Sequence, residues 1–259
     1  MTSPVVEIVG PAGIGKTTLL QYLIRQQGHG NARRLLSIQQ LLSAPRFRSP
    51  RGLASLLACY VLSANEPIPS RLFFRKRSVT KPFLCCASDE WQNFISSCID
   101  IAASDRRAAE RRLLALSWIY DAVATRIAVE SRACVTDLVL MDEPIGYRPS
   151  LFEPLCKIPS RAMRKYYEAV PLPAAIIHVT ADLDTVVERV IGRGTNGKVA
   201  IRHLGLSSSD LRKDTEWAVE LAHFGMMTMK KRGVPVLEVA GEDDISSSVV
   251  QISSFLQSL

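Results

Sequence analysis

Residues 10–17 read Gly10-Pro11-Ala12-Gly13-Ile14-Gly15-Lys16-Thr17, and no other stretch restricts the fold of this chain so severely. The run before it, Pro4-Val5-Val6-Glu7-Ile8-Val9, is short and mostly apolar, as a buried parallel strand is. The stretch after it, Gly15 to Gln27, places Leu19, Leu20, Leu23 and Ile24 on one helical face. Gly28-His29-Gly30-Asn31 then ends the helix. Strand, glycine loop and helix together make an anion-binding arrangement. Glycines let successive backbone N–H groups turn inward, and the helix aims its positive end at the same point.

The loop also matches the pattern GxxxxGK followed by Ser or Thr at every fixed position. Residues Gly10, Pro11, Ala12, Gly13, Ile14, Gly15, Lys16, Thr17 and Thr18 are therefore the candidate nucleotide-binding set. In this reading Lys16 reaches the β- and γ-phosphates, and the Thr17 hydroxyl ligates Mg²⁺. The competing reading is a glycine-rich turn that binds nothing.

Farther along, Asp137 to Met141, Ala174 to Val179 and Val234 to Val239 read as further strands. Arg33 to Ile38 is a short second strand or a helix. Helices are expected at about 183–193 and 208–232 and from Ile245 to Leu256. Strands alternating with helices imply a mostly parallel sheet covered on both faces. Residues 40–133 have a different texture, with leucine-rich amphipathic stretches between basic, proline-containing linkers. Gly52–Ala64, Asp89–Ala103 and Asp105–Ser131 read as helices there, the last with Leu113, Leu116, Ile119, Tyr120 and Val123 at helical spacing. This region is expected to be a helical insertion within a single domain spanning 1–259.

Leu138-Val139-Leu140-Met141-Asp142 is an apolar strand ending in an acid. Such a carboxylate falls at the C-terminal edge of the sheet, beside the glycine loop. Asp142 is the candidate second anchor for Mg²⁺, and Glu143 the candidate proton acceptor for an attacking hydroxyl or water. Alternatively, either acid caps the turn that Pro144 opens.

Lys16, Thr17 and Asp142 make the chain resemble a P-loop NTPase. Met141-Asp142-Glu143-Pro144 is similar to the Walker B string of ABC-type ATPases, but no LSGGQ-like signature lies between the two motifs. A third region, Ile176 to Asp182 followed by Leu183 to Gly194, resembles the lid of the nucleoside- and nucleotide-kinase-like (thymidylate kinase-type) P-loop kinases. The resemblance covers roughly 1–40 and 135–259. It implies a three-layer α/β/α fold on a five-stranded sheet in the order 2-3-1-4-5, with ATP and Mg²⁺ as cofactors. It implies a lid-like segment at 189–205, in which Arg189 and Arg193 stabilise the migrating phosphoryl group and help to exclude water. Arg202 is a further candidate. On the other reading the two arginines, four apart on one face, are simply solvated. The loop Ala240-Gly241-Glu242-Asp243-Asp244 would pass beside adenine, or its acids would cap the final helix. No strand ends in Asp-Arg followed by Tyr, Phe or Ser, since Asp105-Arg106 lies in a helical stretch instead. The pattern of thymidylate and deoxynucleoside kinases is therefore incomplete.

The function expected is an ATP-dependent small-molecule kinase whose acceptor enters over the helical insertion. The alternative is an ATPase or nucleotide-dependent switch acting on a protein or nucleic-acid partner. Three basic clusters occupy the insertion: Arg46, Arg48 and Arg51; Arg71, Arg75, Lys76 and Arg77, beside Phe73 and Phe74; and Arg106, Arg107, Arg111 and Arg112. They suit an anionic acceptor, single-stranded nucleic acid less favourably, or nothing beyond solvent. Tyr147 and Arg148 lie on the sheet edge where acceptors enter. The net charge of +7 favours anionic partners without choosing among them.

Six cysteines without CxxC spacing and only four histidines make a zinc site improbable. Reduced core cysteines, the absence of a leader pattern and the absence of a bilayer-length apolar run point to the cytoplasm, with no membrane insertion. Nothing in the sequence sets the oligomeric state.

Overall fold

The computed structural model of the protein describes residues 5–26, 34–43, 87–105, 108–131, 137–142, 144–152, 160–195 and 207–259. Its sheet has five strands: β1 (Val5–Val9), β2 (Arg34–Ser37), β3 (Asp137–Met141), β4 (Ala175–Thr180) and β5 (Val236–Ala240). They run all parallel in the order β2-β3-β1-β4-β5, the expected order. Every residue of β1 and β3 is buried, which explains why both read as continuous runs rather than alternating ones.

The helices are α1 (Lys16–Arg25), α2 (Ile38–Ser43), α3 (Asp89–Ser104), α4 (Ala109–Glu130), α5 (Arg161–Ala169), α6 (Leu183–Thr195), α7 (Ser208–Lys231) and α8 (Ile245–Gln257). A 3-10 turn, Ile145–Leu151, follows β3. One sheet face packs on α3, α4, α5 and α7 through Phe94, Ile119, Tyr166 and Leu221. The other packs on α1, α6 and α8 through Leu20, Val186 and Ile252. The three-layer α/β/α architecture follows from these two cores. No helix among the described residues is long and apolar enough to cross a membrane.

Most expected elements occur within a residue or two. The short Arg33–Ile38 stretch is resolved as a strand running directly into α2. Helix α4 differs in its buried face. Leu113 is 65% exposed and Tyr120 45%, whereas every residue from Ala122 to Val129 is buried. The C-terminal half of α4 is enclosed on all sides, so its pattern there is one of small and β-branched residues rather than an amphipathic stripe. Of the 40–133 insertion, 44–86, 106–107 and 132–133 lie outside the described residues, and with them the Gly52–Ala64 helix.

Candidate functional site

The loop between β1 and α1 turns at the C-terminal edge of the sheet, where parallel strands place their ligand-binding loops. Gly13 and Gly15 hold φ angles of 93° and 102°, a region side-chain-bearing residues rarely adopt. At Gly13 a Cβ would also meet the Val190 Cγ2 at 3.0 Å. Ile14, 2% exposed, pins the loop into the core below α1 and α8. No side chain caps the N-terminus of α1, and its first turn holds no acid. Ser160, Ser207 and Asp244 cap α5, α7 and α8, whereas α3 and α4, also without a side-chain cap, carry acids in their first turns. The positive end of α1 is thus left for an anion.

The Lys16 ammonium arches back over the loop and donates to the Gly10 carbonyl at 2.7 Å and the Pro11 carbonyl at 2.8 Å. Phosphate oxygens are stronger acceptors than these carbonyls and would compete for the same N–H groups. The Thr17 hydroxyl donates to Asp142 Oδ2 at 3.1 Å, across 125 residues of sequence. Parallel pairing produces this meeting: Glu7 registers with Met141, so β3 ends beside the loop that leaves β1. A hydroxyl and a carboxylate so placed fit one hard divalent cation that takes its remaining oxygens from phosphate and water. Among the described residues no cluster of three or more His, Cys, Asp or Glu side chains is built to hold a metal unaided.

Gly10 to Thr18, Lys16 and Asp142 are therefore brought together. Arg189 lies on α6, and its guanidinium donates to the Gly241 carbonyl at 3.4 and 3.5 Å. It sits at the β5–α8 loop, next to the glycine loop through Val190. Arg193 belongs to α6, but its side chain lies outside the described set, as do Glu143, the Tyr147 side chain, Arg202 and the rest of 196–206. The clusters at 46–51 and 71–77 lie outside it too. In the loop after β5, Asp244 caps α8 by accepting from Ser246 and Ser247 N–H, and Glu242 accepts from Asp182 N–H at 2.7 Å. These acids do structural work.

Sequence reading missed a buried polar clamp directly beneath the site. Glu7 projects from the middle of β1 and is 2% exposed. Its Oε1 accepts from Arg126 at 3.0 Å, and its Oε2 from Gly146 N–H at 3.1 Å. Arg126 is fully buried and also donates to Glu130 at 2.6 Å and to the Leu172 carbonyl at 2.9 Å. Tyr166 and Tyr167 donate to the carbonyls of Ile145 and Gly146 at 2.7 and 2.8 Å. Burial pushes the Glu7 carboxyl above its ordinary range, against the pull of Arg126 and of the Gly146 and Ile145 N–H groups. The clamp grips the turn that follows Asp142, so it sets where that carboxylate stands. One signal was available: an acid inside an otherwise apolar strand requires a buried partner.

No family model matches the chain, and no curated protein matches it.

Proposed function

We propose that this chain is an ATP-dependent phosphotransferase of the P-loop kinase type, moving the γ-phosphoryl group of Mg-ATP to a small-molecule acceptor in the cytoplasm. The observation that carries the proposal is the Thr17–Asp142 hydrogen bond at 3.1 Å, at the mouth of an uncapped glycine loop. In this reading Lys16 leaves the Gly10 and Pro11 carbonyls for the phosphates, and the first-turn N–H groups of α1 hold the same oxygens. Thr17 and Asp142 would hold Mg²⁺, which neutralises phosphate charge and orients the reacting oxygens. Glu143 is the proposed proton acceptor. Arg189 and Arg193, on the helix that abuts Gly13, are proposed to close over the nucleotide. The buried thiol of Cys98, raised by desolvation, is in keeping with a reducing compartment.

The test is ADP release measured with Mg-ATP against a panel of hydroxylated and phosphorylated small molecules. Acceptor-dependent ADP release with a phosphorylated product is expected. No response to any small molecule, together with strong stimulation by DNA, RNA or a protein, would replace the kinase with a partner-driven ATPase or switch.

A further inference from the structure

A cavity of about 320 Å³ opens beside Pro11, between the end of β4 and the middle of α7. That volume lies at the lower end of the range for small-molecule sites. Pro11 belongs to the glycine loop, so the cavity adjoins the place proposed for the transferring phosphate. His178, on β4, lines it. His178 pairs in register with Val9, the last residue before the loop, and with Glu238 on β5. It is 4% exposed, and its Nδ1 has no hydrogen-bond partner among the described residues.

Burial lowers the His178 imidazole to about pH 4, so the ring is neutral under ordinary conditions. A neutral imidazole carries one proton. An unpaired buried N–H costs more than an unpaired lone pair, so the proton belongs on the other ring nitrogen. Nε2–H is then the donor available to a ligand. Glu220 and His223 stand on the α7 side of the cavity, and Val219 and Ala222 give it an apolar wall. Among the described residues, neither lysine nor arginine lines it.

We infer that this cavity receives an uncharged, hydroxyl-bearing molecule with one apolar flank, and that phosphate esters are excluded from it. That this molecule is the phosphoryl acceptor rests on the kinase function proposed above. The Glu220 carboxylate is an acceptor for hydroxyl groups and repels a second anion. His178 Nε2–H is a neutral donor to a carbonyl or hydroxyl oxygen. A phosphorylated ligand would need cationic donors, and the described residues of this wall offer none. The basic clusters of the insertion had favoured an anionic acceptor, whereas the cavity points to an uncharged one.

The experiment uses the full chain with three matched pairs: D-glucose, pyridoxine and uridine, each beside its phosphate monoester. Binding is read first, without turnover, from the His178 imidazole resonance, assigned by its loss in His178→Asn. At least one alcohol is expected to shift that resonance, with an affinity tenfold or more above its ester. Val219→Trp, which adds bulk on a half-buried wall, should weaken that alcohol at least tenfold and leave nucleotide affinity unchanged. A melting temperature within a few degrees of wild type confirms that this variant folds. If no alcohol shifts the resonance, or if the esters bind better, the inference is overturned. If an alcohol binds but ATP is not consumed, the kinase reading fails and the cavity assignment stands. If alcohols are phosphorylated but neither their KM nor their binding responds to Val219→Trp, the kinase reading stands and the cavity assignment fails.

Discussion

Glu7 and Gly10 lie three residues apart on one strand and its loop, yet they belong to opposite kinds of polar site. Around Glu7 the donors and acceptors close on each other: Arg126 meets two carboxylates and a carbonyl, and Gly146 N–H meets the remaining Glu7 oxygen. Around Gly10 the polar groups are less enclosed, and Thr17 is exposed. Helix α1 starts uncapped, and Lys16 donates to carbonyls of its own loop that a stronger acceptor can replace. The comparison teaches that charge at this sheet edge has two uses. A closed network fixes the frame, whereas an open one leaves its groups within reach of other molecules. Substitutions in the first should register as lost stability, and those in the second as lost function.

The largest effect is expected in the closed site. Arg126→Met leaves a buried carboxylate unpaired and should cost about 3–5 kcal/mol in urea unfolding. Replacing Glu7 by Leu as well should recover much of that loss. If the single variant falls by less than about 1 kcal/mol, Glu7 is not ionised in the native state and the clamp is weaker than drawn.

In the open site, Lys16→Ala should lower nucleotide-dependent turnover by about 10²–10³-fold while leaving unfolding free energy within about 0.5 kcal/mol. A large stability loss would show that the lysine belongs to the frame after all.

His178 sits between these cases, buried like Glu7 but facing a cavity. Its folded-state value near 4 lies below the ordinary 6.5: burial lowers it, as do His223 and Lys230, while Glu238 opposes. The unfolded chain therefore takes up a proton first. Stability from this group is present above pH 6.5 and is lost as the pH falls toward 4, by about 3 kcal/mol at most. Glu7 acts with the other sign, because its raised carboxyl makes stability fall as the pH rises above 4.5. Subtracting the pH–stability curve of His178→Gln from that of the wild type isolates the histidine, since Glu7 is common to both. A flat difference curve between pH 6.5 and 4 would mean that the ring is charged or solvated.

The smallest effect is expected for the surface pair Arg212–Asp184, 2.6 Å apart but 52% and 67% exposed at the side chain. Arg212→Ala should change stability by less than about 1 kcal/mol, and less still in salt. A larger loss would show that α6 and α7 depend on this contact for docking.

Local patterns carried much of this in the sequence itself. Glycines beside a lysine and a threonine, an apolar run on one side and a helical face on the other, identify the loop, because the backbone leaves few residue types free at such positions. Asp142 was legible for a related reason: an acid ending a buried strand has to emerge at an edge. The Glu7–Arg126 clamp was not legible, because its partners stand 119 residues apart and neither position announces the other. Arg189 was singled out in the sequence as one of a pair of basic residues on a helix. Its contact with Gly241 depends on how α6 lies against the β5–α8 loop.

By itself, then, the sequence determined the glycine loop, the acid at the end of β3 and an alternation of strands and helices that makes a parallel sheet. These follow from steric and hydrophobic patterns within short windows. Only the tertiary structure decided that Thr17 meets Asp142, that Glu7 is neutralised from α4, and that His178 lines a cavity beside Pro11. Each depends on strand order and helix docking, and for Glu7 burial also removes the water that would satisfy its carboxylate, so a distant partner has to.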